Sequence, residues 1–545
     1  MGNVNEKGVI IVETTFGGRS DLDGHNHGNN ISYGDLIWTT LSRASTAKEA
    51  ISIMDSLTQA YGYESNGESF GVGDGDEVWL MEMVSKGQYA RGSVWVASRI
   101  PDGYVGSTAN QARTTTFVQN DPANVLFAAD VITFARSIGA FNGSDADFDF
   151  RAAYDPLSFG GARFGEARVW SLFNPACGGC VSQYLDYAQG YNLSNVMPLF
   201  VPVAAKLNVT DVVRLMRDHA EGTWFQNTGD DLNGESRPDV GAESGHSPYR
   251  FRPLTWDWNG STYLNERTVG IQQSGWAFIA ESRGWLPEPI RAVTWFAPDD
   301  ASTSPRVPAY GCATRIPAAF GSLVGQTPGG GVPYAPVADG FTMSLDSAFW
   351  IWNLIGNIAF SERYQLAYPM VTQAVDAHQA RMVADAASME KDFLALWPVD
   401  PAAAVELATR FGETEGMDMF TQWRNFWMYL CVSRALRAQS LPCQASHPAC
   451  SPPSRRPRSF ATFRDGGILT PSTATQCAPG QTFNCTAKLQ PNDNEVGYAD
   501  EWRGRIATEN PDRYRVPSSS ALDETKMAVM SGKRRGREAM RRSKA

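Results

Sequence analysis

The chain has 545 residues, 43% of them apolar and 19% charged, with 16 Trp, 27 Phe and a net charge of −11. A chain of that make-up buries extended cores, and its negative balance excludes a nucleic-acid partner, whose phosphates it would repel. No apolar run reaches the roughly 18 residues of a membrane span; the nearest, Ala348 to Phe360, is broken by Asn353 and Asn357 and reads as a buried helix.

A polar turn, Met1 to Gly8, leads into the β-branched stretch Val9-Ile10-Ile11-Val12, a predicted strand that closes on Glu13-Thr14-Thr15-Phe16-Gly17-Gly18. Arg19 to Asn30 is rich in Gly, Asp and Asn and reads as a loop; its His25 and His27 lack the carboxylate or thiol cluster of a metal site. Thr46 and Glu49 form a capping-box pattern, and Ala50, Ile53, Met54, Leu57 and Tyr61 recur at helical spacing, which predicts an amphipathic helix over 46–62. Strands are expected at Glu68–Val72, Glu77–Met83 and Ser93–Ala97, the first two joined by the Gly73-Asp74-Gly75-Asp76 turn. Their apolar runs are nearly continuous, as in strands buried on both faces, and the helix-plus-meander order is α+β.

Helices are expected at about 123–138 and 163–174, and over Asp211 to His219. His219 stands beside Asp218, but a place at a helix C-terminus makes a structural role the better reading than that of a base. Pro328 to Gly331 is a surface break; helices follow over 361–396, 401–410 and 417–437. The stretch 441–490 is rich in Pro, Ser, Cys and Arg and reads as a long loop, and Lys533 to Lys544 as a basic tail. Eight cysteines are too few to staple such a chain, and the Cys177-Gly-Gly-Cys180 pair, without a second pair for zinc, reads as a loop with free or bridged thiols. Six Asn-x-Ser/Thr sequons, at Asn30, Asn142, Asn192, Asn208, Asn259 and Asn484, permit a secretory or lysosomal location; a cytoplasmic one is equally compatible.

Several separate blocks resemble the PepD-type dipeptidases (dipeptidase A), a family of N-terminal-nucleophile cysteine peptidases. They are the Asn5-Glu6 turn with Glu13 to Gly18, Arg99 to Tyr104, Ala109-Asn110-Gln111-Ala112-Arg113, Asp155-Pro156-Leu157 with Phe164 to Trp170, and Ser247 to Trp256. Asn265-Glu266-Arg267 to Gly275, Trp295-Phe296 with Asp299-Asp300-Ala301, and Gly497 to Pro517 extend the likeness, which covers about 1–437 and 497–517. The resemblance implies a four-layer αββα N-terminal-nucleophile hydrolase domain over 1–345, incomplete at its start. It further implies a helical part over 346–440, an insert over 441–490, a family-like segment over 491–520 and a tail over 521–545.

The implied reaction is hydrolysis of dipeptides through a cysteine acyl-enzyme, with no cofactor and no metal, on a small peptide substrate; a homo-oligomer is compatible. The family's nucleophile is a cysteine at the mature N-terminus, whose place lies ahead of Met1, so the chain as it stands is expected to hydrolyse dipeptides little or not at all. Asn5 and Asn110 are the implied oxyanion donors and Arg267 the implied positive charge near the thiolate; turn chemistry is the competing reading of each Asn. A non-catalytic, secernin-like binding or trafficking protein is the alternative function, and a hydrolase with an internal Cys–His pair a third.

Overall fold

A computed structural model describes residues 2–25, 27–226, 255–271, 274–321, 338, 343–360, 364–440, 462–464, 467–469, 507–508 and 511–517. The chain opens on two strands, β1 (Gly2–Val4) and β2 (Ile10–Thr15). Two helices follow, α1 (Tyr33–Leu41) and α2 (Ala47–Tyr61), before β3 (Gly67–Gly73), β4 (Val78–Ser85) and β5 (Ser93–Arg99). After the short β6 (Tyr104–Gly106) comes β7 (Val125–Phe127), and the antiparallel order is β1-β2-β3-β4-β5-β7.

Register partners share a face of a sheet. Ile11, Val72 and Trp79 line up on one face, as do Glu13, Phe70, Met81 and Ala97. The apolar residues of these rows pack with Leu36, Ile37, Ile51 and Met54 of the two helices. Thr46 accepts from Glu49 N (3.2 Å), while the Glu49 carboxylate reaches Ser45 N (2.8 Å), one residue before the expected capping-box partner. Asp74 joins helix to sheet. It accepts from Asp76 N and Glu77 N in the β3–β4 turn and from Ala47 N (2.7 Å) at the start of α2.

The helix expected over 123–138 is divided. Val125–Phe127 pairs with Val96–Ser98 at the sheet edge, and only α3 (Val131–Ser137) is helical. An apolar triplet with β-branched Val125 and aromatic Phe127, beside an open strand edge, satisfies its backbone there, which overrides the helical pattern. The helix expected near 163–174 runs longer: a turn at Phe159–Gly161 and a π-helical turn at Ala162–Glu166 lead into α4 (Ala167–Ala176). Beyond it lie β8 (Phe200–Pro202), paired with β6, and α5 (Val209–Met216), entered through an Asn208–Asp211 capping box. The hairpin β9 (Thr255–Trp258) and β10 (Ser261–Leu264) turns on Asn259 and Gly260, both at positive φ as a type I′ turn requires.

A second antiparallel sheet holds β11 (Trp276–Ser282), β12 (Ala292–Pro298) and β13 (Val307–Tyr310). Its Ile279, Val293 and Trp295 pack with α6 (Ala348–Ala359), α7 (Tyr364–Leu396) and α8 (Pro401–Ser440) through Ile351, Trp352, Val375 and Trp423. The two sheets touch where Gly2 of β1 lies under Phe278 of β11, and the β3–β4 turn meets the loop after β11, where a Cβ on Gly75 would lie 2.5 Å from Gly284 Cα. Two helices were expected, over 401–410 and 417–437, where α8 is one; Gly412 and Gly416 stand in the stretch between them. Both instead face packed neighbours, Gly416 against Pro317 and Gly412 against Pro308 O, so they admit close approach without ending the helix.

Within 441–490, where a long loop was expected, the described residues form a hairpin of β14 (Thr462–Arg464) and β15 (Gly467–Leu469). The remainder of that stretch, the block at 247–254, the break at 328–331 and the basic tail lie outside the described residues. The family-like segment near the end includes a short helix, Pro511–Tyr514, then Arg515 bridging to Tyr263 and Val516 N bonding Thr262 O (2.8 Å).

Candidate functional site

The strand β2 ends at Thr15, and Thr15 O accepts from Asn110 Nδ2 (2.5 Å). Asn110 stands at φ 60°, a left-handed conformation that Asn tolerates better than most residues. Its Oδ1 accepts from Arg168 Nη2 (2.7 Å), in the first turn of α4. With the oxygen turned to a guanidinium and the nitrogen to a carbonyl, the amide has one orientation, and one of its two N–H groups has no acceptor among the described residues.

The segment around Asn110 is held from three sides by buried acids. Asp155 Oδ2 takes Gln111 Nε2 (2.7 Å) and Ala112 N (2.8 Å). Glu82, from β4, takes Arg113 N (2.7 Å) and Thr114 N (2.8 Å), and burial pushes its pKa above the usual carboxylate range against the pull of those donors. Glu166 receives Arg113 Nε on both oxygens (3.1 Å each). Gly165 in the π-helical turn makes room for the strap, since a Cβ there would fall 2.8 Å from Ala109 O.

Arg168 donates besides to Phe164 O (2.6 Å) and Ala109 O (3.1 Å). It lines a cavity of about 10 Å³ together with Arg267, Ser171, Asp218 and Phe225. Burial, and then the charge of Arg267, draws the Arg168 pKa well below its ordinary value. A guanidinium keeps its proton in proteins, so the direction measures how unfavourably the cation is placed. Glu266, next to Arg267, is paired with Arg163. Asp218 accepts from Ser171 and Ala220 N, and burial raises its pKa.

Asn110 and Arg267 thus belong to one neighbourhood, joined by Arg168; Asn5 does not. Asn5 Nδ2 donates to Leu41 O and Ala44 O (2.8 Å each), and its Oδ1 accepts from Lys7 N (3.1 Å) and Val9 N (2.9 Å). It fastens the β1–β2 turn to the end of α1. Val9 and Thr15 lie at opposite ends of the β2 segment, roughly 20 Å apart at ~3.4 Å per residue, so Asn5 and Asn110 do not converge on one oxygen.

Two constellations escaped the sequence reading. Glu68, the register partner of Thr15, accepts from Thr15 Oγ1 (3.2 Å), Ser65 Oγ (2.8 Å) and the Tyr63 hydroxyl, and burial pushes its pKa up to about 7. A lone carboxylate in an apolar strand was the available signal. The other is Ser302 Oγ at 3.1 Å from His219 Nε2, with His219 Nδ1 at 3.0 Å from Glu221 Oε1. This is the connectivity of a hydrolase triad, but Ser302 and His219 are wholly buried and Gly270 covers them, a Cβ there lying 2.8 Å from Ser302 Oγ. No substrate reaches that hydroxyl; the pair packs beneath Gly270, whose N–H bonds Asp218 O (2.8 Å). Arg168 itself was visible in the Phe164 to Trp170 block but was not singled out.

No described cysteine stands in this neighbourhood. Cys177 and Cys180 form a disulfide, Cys431 is exposed on α8, and burial pushes the Cys312 thiol up to about 11. Among the described residues, no three His, Cys, Asp or Glu side chains gather as metal ligands, and no helix is long and apolar enough to cross a membrane.

Comparison with known proteins covers this neighbourhood. Peptidase family C69 matches the chain over residues 1–376. A probable dipeptidase of Salmonella dublin is 25% identical over 310 residues, 56% of this chain and 60% of that one. A probable dipeptidase of Latilactobacillus sakei is 21% identical over 336 residues, 61% of this chain and 58% of its own. Dipeptidase A of Lactobacillus helveticus is 23% identical over 288 residues, 52% of each. The chain spans at most about 60% of the length of these curated relatives.

Proposed function

The chain belongs to peptidase family C69, and we propose on that footing that it hydrolyses the peptide bond of dipeptides through a cysteine acyl-enzyme. The fold we propose with it is a four-layer αββα sandwich, with α1 and α2 outside one sheet and α6 to α8 outside the other. The contact of Gly2 in β1 with Phe278 in β11 supports that stacking.

One observation carries the functional reading: the Asn110 amide, in a left-handed conformation at the end of β2, is oriented by Thr15 O and Arg168 with one N–H unspent. Backbone strain of this kind is maintained where the surroundings over-determine it, here by Asp155, Glu82 and Glu166. In the proposed reaction a thiolate adds to the scissile carbonyl carbon and negative charge moves to its oxygen. Asn110 donates to that oxyanion. The intermediate collapses to a thioester, the leaving amine takes a proton, and water then releases the acid. An N-terminal α-amine, with its reference pKa of ~7.7–8.0, handles these protons near neutral pH. Arg267 favours the thiolate by its charge. The thiol belongs to a residue outside those described, since the four described cysteines are bridged, remote or held protonated.

Protein from its native source, with its N-terminus sequenced, is expected to hydrolyse alanyl-alanine and to lose that activity on alkylation with iodoacetamide. Asn110→Ala is expected to lower kcat by ~10²–10³ with KM little changed, the usual effect of one oxyanion donor. An active protein indifferent to iodoacetamide would end the cysteine mechanism. An inactive one would turn attention to the non-catalytic, secernin-like reading.

A further inference from the structure

We infer that the Cys177–Cys180 disulfide is a reversible dithiol–disulfide site that exchanges electrons with small thiols of the glutathione class, with Cys180 the sulfur attacked and Cys177 the leaving thiolate. The bond joins residues three positions apart, across Gly178 and Gly179, at the C-terminal end of α4. The entropy a cross-link takes from the unfolded chain grows with the loop it closes, so a bond this local does little to staple the fold. Cys180 is exposed and Cys177 partly buried, and the two residues between them carry no side chain to shield the sulfurs. An exposed disulfide is the kind that an external thiolate reaches.

The loop has supports that do not depend on the bond. Ala176 and Val181, on either side of the pair, are buried in one apolar cluster with Trp170 and Phe173. Trp170 Nε1 donates to Val181 O (2.8 Å), Gly179 N to Asn174 O (2.7 Å) and Ser182 N to Gly179 O (3.1 Å), while Ala204 N donates to Ala176 O (2.9 Å). Gly178 and Gly179 both stand at positive φ, 68° and 92°, where other residues are strained, so the turn is written into the sequence. The two Cα atoms, 5.6 Å apart, are thereby kept within bonding reach by contacts that reduction leaves in place. A pair so held opens and recloses without refolding.

Cys180 N lies 3.1 Å from Cys177 Sγ and donates to it. The helix α4 ends at Cys177, where its dipole opposes an anion, and this N–H offsets that as charge arrives on the sulfur. In the exchange an external thiolate attacks Cys180 Sγ. A mixed disulfide forms, the Cys177–Cys180 bond breaks, and its electron pair leaves on Cys177 Sγ. A second thiolate attacks the external sulfur of the mixed disulfide and frees Cys180. Both protein thiolates take protons from solvent; two thiols have become one disulfide, and two electrons have entered the protein. The pair lies roughly 13 Å along α4 from Arg168, at ~1.5 Å per residue, so it stands apart from the dipeptidase reading and peptide hydrolysis is not its readout.

The test holds the folded full chain in glutathione buffers of stepped composition, quenches with N-ethylmaleimide and reads Cys177 and Cys180 by peptide mass spectrometry. At fixed oxidised glutathione, the ratio of dithiol to disulfide is expected to rise with the square of the reduced glutathione concentration, as a two-electron exchange with a monothiol requires. Oxidised glutathione should then re-form the same pair. The melting temperature should differ between the two forms by less than about 3 °C, because so short a loop is a small part of the unfolding entropy. In Cys177→Ser, oxidised glutathione should add to Cys180 at least about 10-fold faster than it adds to Cys177 in Cys180→Ser, because access sets the rate. A bond that glutathione leaves intact at every ratio, and that opens only when urea unfolds the chain, would overturn the inference. So would loss of the cooperative melt on reduction, or re-oxidation onto a different cysteine. Equal adduct rates in the two variants would overturn the assignment of Cys180 as the attacked sulfur. The wild-type titration decides the main point without either variant having to fold.

Discussion

Glu68 is a buried carboxylate held, among the described residues, by the hydroxyls of Tyr63, Ser65 and Thr15. Burial, with Glu13 nearby, raises its pKa from the ordinary 4.5 to about 7. A group that holds its proton more tightly when folded stabilises the fold below its unfolded pKa, and that contribution drains away as pH climbs through the folded one. The window is therefore about pH 4.5 to 7, and at about 1.4 kcal/mol per pH unit the effect is on the order of 3 kcal/mol. Glu68→Gln cannot ionise. Urea titrations should find the wild-type protein losing stability relative to this variant between pH 4.5 and 7.5; parallel curves would mean the carboxyl is neutralised in some other way. The two asparagines argue the limits of reading residues singly. Asn5 and Asn110 occupy similar polar turns in family-like motifs, and turn chemistry competes with catalysis at each. What separates them is the spending of amide hydrogens: Asn5 uses both on the end of α1, whereas Asn110 keeps one. Neither Leu41 nor Ala44 is near Asn5 in the chain, so that difference is tertiary and was not legible. Arg267 was legible as a motif position; its meeting with Arg168 was not.

The element that best repays attention is α8. Its glycines sit where neighbouring chains press against the helix, so an added methyl has a definite cost. Gly416→Ala would drive a Cβ into Pro317. It is expected to destabilise by about 1–3 kcal/mol as overpacking, outweighing the helix propensity that Ala gains, of about 1 kcal/mol. A melting temperature unchanged or raised would show that Pro317 yields. Periodicity made the existence of this helix legible, along with α2 and the β3–β4–β5 meander, because each carries its own apolar spacing and its own caps or turns. Continuity through Gly412 and Gly416 was illegible, since a glycine that breaks a helix and one that lets a neighbour in look alike in the chain. The 125–127 stretch failed for the opposite reason. Its helical pattern is real, but the open edge of β5 outbids it, and a sheet edge is assembled from residues far apart.

Across the whole molecule, the segment near residue 515 returns to the front half. Val516 bonds Thr262, Arg163 Nη2 reaches Arg513 O at 2.9 Å, and Tyr514 packs with Trp256 and Tyr263. Ending the chain at residue 506 removes these contacts. With Tyr514 and Val516 each buried, the loss is expected to be about 3–6 kcal/mol at ~1.5–3 kcal/mol per apolar side chain. A truncated protein melting with the full chain would place that segment outside the cooperative unit. The return path also sets a schedule. Arg163, which braces Glu266 beside Arg267, is itself completed by a carbonyl 350 positions later. At ~5–20 residues per second a ribosome needs about 20–70 s to cover that interval. The nascent chain therefore carries the two sheets and the long helices before Arg163, the partner of Glu266, can gain its bond to Arg513 O.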